Sequence, residues 1–516
     1  LAKTYSCTLV GVKVIHVEIE TVVGSGFSGL NILGLSPEIT RDMRERIRSA
    51  LECIGIPIPA RRVVVNITPS DSLKLSRTPT CQLDFAVATS IIYALFQENK
   101  KGAKLLPPVK EYLAGEISLS GQIKAIENPL VYFAALHSMQ KEEAIFCLPY
   151  AKLENQLFTP AHNLEFYASL SEWISARKIS ELGSIKKRAP FQPLSKYQQT
   201  YDSTFMNEQE VSNNIKILAK NPKICVAILI AALSRSHILI AGEPGVGKSF
   251  SIDKIIHFLP PLSEKEKIEV KLIHPCGIQN ERPFRAPHHS ASSAALVGGQ
   301  TLKPGEASLA HHGILFLDEL AEFSRTSLES LREPLDSGQV SLARSGGQIT
   351  YPAKFQLCAT TNPCGCGYLF SRKRPCRCNP SDSKKYLQKL SGPLLDRFSI
   401  QLWAENHFDE NNLDIFSRHL LEILKKEGSI LLSKKIIELQ RLDLNAKLRQ
   451  EIKFWHEATI QANPDFQSLS NRGQIKINEL MFYFNLLFPE LKKSEHYISS
   501  VLSYRILNKM FTENIF

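Results

Sequence analysis

Apolar residues recur along the first 180 positions in two registers, one helical and one strand-like. "RDMRERIRSALECIGIPIP" (41–59) places its apolar residues on one helical face and is stopped by Gly55 and Pro57, and "LDFAVATSIIYALF" (83–96) is apolar enough to be a buried helix. "RRVVVNITPS" (61–70) has the β-branched run of a strand ending in a turn, and "EYLAGEISLSGQIKAI" (111–126) predicts two short strands joined by Ser-Gly. This alternation predicts an α/β domain over 1–183. Between 181 and 205 the period lapses into "ELGSIKKRAPFQPLSKYQQTYDSTF", with two prolines and a basic cluster, so 184–205 is assigned as a linker. Periodicity resumes at 206 and holds to 403. From 404 to 516 the pattern is mainly helical, with a Phe/Leu-rich stretch at 480–491. The longest apolar run, "ICVAILIAALSRSHILIAG" (224–242), is interrupted by Arg235 and His237, which predicts a buried helix, a turn and a strand rather than a membrane span.

The strand ending that run opens onto chemistry. "HILIA" (237–241) leads into "GEPGVGKS", that is Gly242, Glu243, Pro244, Gly245, Val246, Gly247, Lys248 and Ser249, and a helical pattern follows through Phe258. Glycines at these positions let backbone N–H groups curl around a phosphate at a helix N-terminus. Lys248 would reach the β- and γ-phosphates of a nucleotide, and Ser249 would ligate Mg²⁺. A second apolar strand, "GILFLDEL" (313–320), ends in Asp318, placed to hold the Mg²⁺ water shell, and Glu319, placed to orient an attacking water. A third, "FQLCATTN" (355–362), carries Asn362 at its polar tip, and a helical segment "GPLLDRFSI" (392–400) carries Arg397. That arginine is either a salt-bridged helix cation or, in a ring of subunits, a group reaching a neighbour's γ-phosphate. "QVSLARSGGQITYPAKF" (339–355) predicts a β-hairpin around Ser-Gly-Gly, with Arg344 near its tip.

Together with "RPFRAPHHSASSAALVGG" (282–299), "PGEASLAHHGILFLDEL" (304–320), "LESLREPLDSGQVSLAR" (328–344), "NPCGCG" (362–367) and "LSGPLLDRF" (390–398), these motifs make residues 206–516 resemble the magnesium-chelatase-like branch of the AAA+ ATPases, and within it the ComM/YifB group. The resemblance implies a P-loop AAA+ core with a helical lid. Lys248 and Ser249 take the Walker A positions, Asp318 and Glu319 the Walker B positions, and Asn362 that of the first sensor. Arg397 takes the arginine-finger position and Arg472, in "LSNRG" (469–473), that of the second sensor. "SGLNILGLSPEITRDMRERIRSAL" (28–51), "PARRVVVNITPSD" (59–71) and "YLAGEISLSGQIKAI" (112–126) extend the likeness to an N-terminal domain similar in fold to the Lon protease domain. Lon-type peptidases use a Ser–Lys pair, where a desolvated lysine activates the hydroxyl. "AIENPLVYFAALHSMQ" (125–140) holds no lysine and "RTPTCQLDF" (77–85) no serine, so that domain is expected to be catalytically silent, with Cys81 a packed thiol. In this branch the 339–355 hairpin projects into a ring pore, which brings Arg344 to a phosphate backbone, and the 284–299 insert places Arg285, His288 and His289 near the pore or an interface. The implied activity is that of a hexameric ATP- and Mg²⁺-dependent motor on DNA, promoting branch migration during natural transformation. A chelatase-type motor with partner subunits and a protein-remodelling ATPase are the alternatives.

Charge fits a polyanionic partner without requiring one. The chain of 516 residues carries a formal net charge of +11, which suits DNA or simply a basic surface. The first residues, "LAKTYSCTLVGVKVIHVEIETVV", lack the features of a signal peptide, and Leu1 in place of Met suggests a trimmed N-terminus. Seven of the eleven cysteines lie scattered in apolar runs (Cys7, Cys53, Cys81, Cys147, Cys225, Cys276 and Cys358), the usage of a reducing compartment, so the cytoplasm is expected. The other four, Cys364, Cys366, Cys376 and Cys378, form two C-x-C pairs around a basic stretch with Arg372, Lys373, Arg374 and Arg377. Four thiolates suit a closed zinc site, although C-x-C is tighter than the usual spacing. Zinc and unligated thiols both remain open from the sequence, and the basic residues of the loop are placed to meet DNA or a neighbouring subunit.

Overall fold

A computed structural model of the chain describes residues 1–70, 80–99, 110–125, 144–149, 164–177, 207–274, 281–299, 302–344, 347–371, 374–405, 413–441, 464–467, 469–494, 496–505 and 507. It falls into two compact units: one of residues 1–200, 264–279 and 343–351, the other of 201–263, 280–342 and 352–516. The expected linker and the segment 126–140 lie outside the described residues. Among the described residues no helix is long and apolar enough to cross a membrane.

The first unit is built on a seven-stranded mixed sheet. Its strands are β1 (Ala2–Val10), β2 (Lys13–Gly24), β3 (Gly29–Leu33), β4 (Arg62–Thr68), β5 (Lys110–Leu113), β8 (Ala144–Pro149) and β9 (Leu164–Tyr167), in the order β3-β4-β2-β1-β5-β8-β9. The short antiparallel pair β6 (Glu116–Ile117) and β7 (Ile123–Lys124) stands apart, turning at Gly121 as its Ser-Gly predicted. Helices Pro37–Cys53 and Asp84–Asn99 cover the sheet through Met43, Ile47, Leu51, Phe85, Ile91 and Ile92. Where the second helix begins, the buried Asp84 is held by Arg46 at 2.8 Å. Burial, only partly offset by that guanidinium, lifts its carboxyl to about 6. Burial also raises the Cys81 thiol, the opposite of an activated nucleophile.

The second unit holds a five-stranded parallel sheet of β10 (Ile238–Gly242), β11 (Phe284–Arg285), β12 (Ile314–Leu317), β15 (Gln356–Thr361) and β16 (Ile400–Ala404), in the order β11-β12-β15-β10-β16. Side chains alternate between two buried faces: Ile238, Ile240, Ile314, Phe316, Cys358 and Leu402 enter one core, and Leu239, Ala241, Leu315, Leu317, Leu357 and Ala359 the other. The helix Pro222–Ser234, apolar on all sides, fills the first face; Asn221 caps its start, and Arg235 at φ 51° ends it. The segment after residue 403 joins the same core, with helices Ile415–Lys426, Gly428–Arg441 and Asn471–Leu487 contributing Phe416, Leu420, Leu432, Ile477 and Phe484. The hairpin of β13 (Gln339–Arg344) and β14 (Gly347–Pro352) forms where predicted.

One expectation is corrected here. The run 392–400 is not one helical segment: the helix spans Gly392–Leu395, and Ile400–Ala404 is the strand beside β10. The chain turns because the C=O of His237 accepts the N–H groups of Ser399 and Ile400, at 3.0 and 3.2 Å. That delivers the apolar "IQLWA" to the open edge of the sheet.

Candidate functional site

The carboxyl ends of β10, β12 and β15 converge on one site in the second unit. Gly242 closes β10 where a Cβ would lie 2.3 Å from the Ala404 carbonyl oxygen, so only glycine fits. Gly245 and Gly247 adopt φ of 81° and 85°, and Gly247 caps the helix Lys248–Asp253. Val246 packs against the core beneath. Lys248 folds back over the loop, its Nζ donating to the carbonyls of Gly242 (2.7 Å) and Glu243 (2.8 Å) and to Asn362 Oδ1 (3.1 Å). Desolvation holds its ammonium down to about 8, against the pull of Asp318, Glu319 and Glu243. A desolvated ammonium at the start of a helix is suited to receive an anion.

Ser249 and Asp318 meet as the motif reading requires: Ser249 Oγ donates to Asp318 Oδ1 at 2.7 Å. Both are hard oxygen donors suited to Mg²⁺, with two phosphate-facing elements supplying them. Thr360, which the sequence reading passed over, donates its hydroxyl to the same Asp318 oxygen and accepts the Glu319 N–H at 3.2 Å. It thereby fixes Asp318 and Glu319 from the neighbouring strand. A threonine in an apolar strand reads as an ordinary β-former; the available signal was the sudden polar run "TTN" at a strand end.

Glu319 sits at φ 54°, ψ 53°, a left-handed conformation rare outside glycine, and its side chain is 50% exposed. Its carboxylate therefore faces the open side of the site, where a water can reach it. His289 Nδ1 lies 3.9 Å from Glu319 Oε2, and the rings of His288 and His289 stack at 4.0 Å. His288 Nδ1 pairs with Ser290 Oγ at 2.8 Å. His289 thus lies beside Glu319, with His288 stacked on it.

The remaining arginines are not gathered at Lys248. Arg397 pairs with Asp336 and donates to the Pro393 carbonyl at 2.6 Å; Arg472 reaches the other Asp336 oxygen at 3.0 Å. Burial pulls the Asp336 carboxyl up, but its hydrogen bonds and charge pairing with the two arginines outweigh that and hold it below the usual carboxylate value. Arg505, almost fully buried, braces the same turn through the Phe398 carbonyl and Asp396. Asp336 and Arg505 escaped the sequence reading because nothing in their local spacing marks them. Arg285 is engaged by Glu306 in a bidentate pair at 2.6 and 2.8 Å. Arg374 lies over the Tyr368 ring and donates to its hydroxyl at 3.1 Å. Arg344 ends β13, while its side chain, and Arg372 and Lys373 altogether, lie outside the described residues.

The four clustered cysteines do come together. Cys364 Sγ lies 3.4 Å from Cys366 Sγ and 3.7 Å from Cys376 Sγ, Cys366 Sγ is 3.5 Å from Cys376 Sγ, and all four sulfurs fall within 4.8 Å of one another. They are free thiols.

Comparison with known proteins places the chain among relatives. A family model described as magnesium chelatase, subunit ChlI, matches residues 216–412, and one described as subunit ChlI of Mg-chelatase matches 19–151. The competence protein ComM of Haemophilus influenzae is 32% identical over 415 residues, covering 78% of this chain and 76% of that protein. The uncharacterised protein YifB of Salmonella typhimurium is 32% identical over 423 residues, covering 78% and 75%. An uncharacterised protein of Mycobacterium tuberculosis strain H37Rv, Rv2897c, is equally similar, at 32% over 415 residues.

Proposed function

Since the chain belongs to the ComM/YifB family of magnesium-chelatase-like proteins, we propose that it is an AAA+ ATPase that works on DNA as a ring-shaped motor, promoting branch migration in homologous recombination during natural transformation. The observation that carries the ATPase half is the meeting of Lys248, Ser249, Asp318 and Asn362 at one sheet edge. Lys248 exchanges its loop carbonyls for the β- and γ-phosphates, whose charge restores the ammonium that burial disfavours. Ser249 and Asp318 would hold Mg²⁺, which would neutralise phosphate charge. Glu319 orients the attacking water and takes up its proton, and Asn362 positions the γ-phosphate. Thr360 keeps the acids in register.

The DNA half is supported by the net charge of +11, by the competence name of one relative, and by a resemblance that includes the N-terminal part, matched over 19–151. On this reading Arg344 and the basic residues 372–374 face the nucleic acid, Arg285 and His288 line the ring, the first unit is a silent Lon-like module, the segment 404–516 is the helical lid, and the protein works as a cytoplasmic hexamer. The descriptions of the matching family models favour a second reading, a chelatase-type motor with partner subunits. A strand-displacement assay on four-way and three-stranded DNA junctions, comparing wild type with Lys248→Ala, separates them. The expected result is ATP-dependent displacement and DNA-stimulated hydrolysis by the wild type alone, with binding that weakens steeply as salt rises. Hydrolysis indifferent to DNA would overturn the DNA motor and leave the ATPase in place. The four cysteines are read as a structural zinc set in this motor, alongside the nucleotide and Mg²⁺.

A further inference from the structure

The thiol cluster is joined to the ATP site by covalent chain and by contact. We propose that Cys364, Cys366, Cys376 and Cys378 hold one zinc ion, and that this ion braces the hydrolytic machinery by fixing Asn362 and the P-loop turn at Pro244. The four sulfurs are gathered as a metal site requires, all within 4.8 Å of one another. Tetrahedral zinc at about 2.3 Å from each sulfur sets sulfurs about 3.8 Å apart; the measured separations of 3.4, 3.5 and 3.7 Å match that edge. They are far too long for a disulfide, whose sulfurs stand about 2.0 Å apart.

The surrounding backbone is arranged for thiolates. The Cys366 N–H donates to Cys378 Sγ at 3.3 Å. The Gly367 N–H donates to the Cys364 carbonyl at 2.9 Å, and backbone N–H groups of Leu369 and of Tyr368 and Arg377 lie at the Cys364 and Cys366 sulfurs respectively. Such donors neutralise the excess charge of a four-thiolate site and orient its ligands. Thiols used as packing hydrophobes look different: Cys225 and Cys358 are buried among apolar side chains, whereas Cys364, equally buried, faces other sulfurs.

Two links carry the brace. Asn362, which touches Lys248, is two residues before the first ligand. Gly367, one residue after the second ligand, lies at φ 82°, and a Cβ there would stand 2.5 Å from Pro244 Cγ. The metal loop is thus seated directly on the phosphate-binding loop. Residues 374–379 form no strand or helix up to the start of Pro380–Gln388, so the two arms of the loop are joined by the sulfurs together with the bonds from Arg374 to Tyr368 and Ser371.

The second half of the proposal rests on the ATP-site reading above, and the measurements keep the two apart. Full-length protein is assayed for zinc by elemental analysis and, after exchange into Co²⁺, for thiolate-to-cobalt charge-transfer absorption. ATP turnover and nucleotide affinity are then measured on wild type, on wild type stripped by a chelator and resupplied with Zn²⁺, and on C376S/C378S. The expected result is one zinc per chain, a tetrathiolate cobalt spectrum lost in the variant, and turnover lowered about 10–100-fold on stripping, with nucleotide affinity much less affected. Resupplied zinc restores turnover in the wild type and not in the variant. If the variant fails to fold, the strip-and-restore cycle on wild type, followed by circular dichroism, decides. Absence of stoichiometric zinc, or full turnover in folded zinc-free protein, would overturn the proposal. Zinc-loaded wild type that hydrolyses no ATP would sink the ATP-site reading and the brace with it, leaving only the metal site.

Discussion

Thr360 is buried at the end of β15 and spends its one hydroxyl on two neighbouring acids, donating to Asp318 and receiving the Glu319 N–H. Removing that hydroxyl while keeping the shape tests its part in the chemistry. Thr360→Val leaves Asp318 free to turn from Ser249 and removes the acceptor that holds Glu319 at its left-handed backbone. A positioning partner of this kind is worth about 10–100-fold. Turnover should fall by that factor while nucleotide affinity, carried mainly by Lys248 and the loop N–H groups, stays within a few-fold. Thr360→Ser should recover most of the loss, whereas equal damage by Val and Ser would mean that the methyl packing matters and the hydroxyl does not. The lysine, serine and acids were legible because the P-loop repeats a spacing that phosphate geometry imposes. Thr360 and Asp336 were not, since each acts through a long-range contact with a distant element: Thr360 lies 42 residues from Asp318, and Arg472 lies 136 from Asp336.

Among the elements, β10 was readable from its unbroken apolar run, and so were β12 and β15. β16 was not, because Gln401 breaks the apolar run of Ile400–Ala404 and the strand follows directly on a helical turn. Its identity as a strand depends on an open edge that no local window contains. His237 stitches these elements together. Its Nδ1 accepts the Leu357 N–H at 3.0 Å, and its carbonyl accepts the N–H groups of Ser399 and Ile400. An Nδ1 that accepts a backbone N–H must carry no proton, and burial, helped by Lys476 and Arg397, lowers the imidazole to about 3. In the unfolded chain the same ring titrates near 6.5, so between about pH 6.5 and 3 the unfolded state binds a proton that the native state refuses. Stability contributed by this group is full above that window and is lost on acidification. The loss amounts to about 2 kcal/mol between about pH 7 and 5. His237→Asn keeps an acceptor near the Nδ1 position and cannot titrate. Denaturant melts at the two pH values should therefore show a smaller acid-side loss in the variant by about that amount. Identical pH dependence in the two proteins would remove His237 from the account.

At the scale of the whole molecule, the ring reading turns on where Arg397 and Arg472 sit. Sequence spacing left Arg397 as either a structural cation or a group acting across a ring. Within one subunit both arginines are drawn to Asp336, and Lys248 is satisfied by Gly242, Glu243 and Asn362, with neither arginine among its hydrogen-bond partners. A guanidinium that is 11% exposed and already paired is held ready at low entropic cost, since its side chain is ordered before any phosphate arrives. If the ring reading is right, each subunit lends this cation to its neighbour's γ-phosphate, an effect of about 10³–10⁵-fold in phosphoryl transfer. Arg397→Ala protein then keeps a sound P-loop without a finger, and Lys248→Ala protein keeps a sound finger without a P-loop. Each alone should be nearly inactive, and mixing them should restore part of the wild-type ATPase, because some interfaces then pair an intact Lys248 with an intact Arg397. The gain should saturate with the mixing ratio and vanish for a mixture of Lys248→Ala with Lys248→Ala/Arg397→Ala, which has no intact P-loop. If the first mixture hydrolyses ATP only at the sum of its parts, Arg397 serves its own subunit. The Asp336 pair is then a structural clasp on the turn before β16 rather than a cradle for a cation in transit.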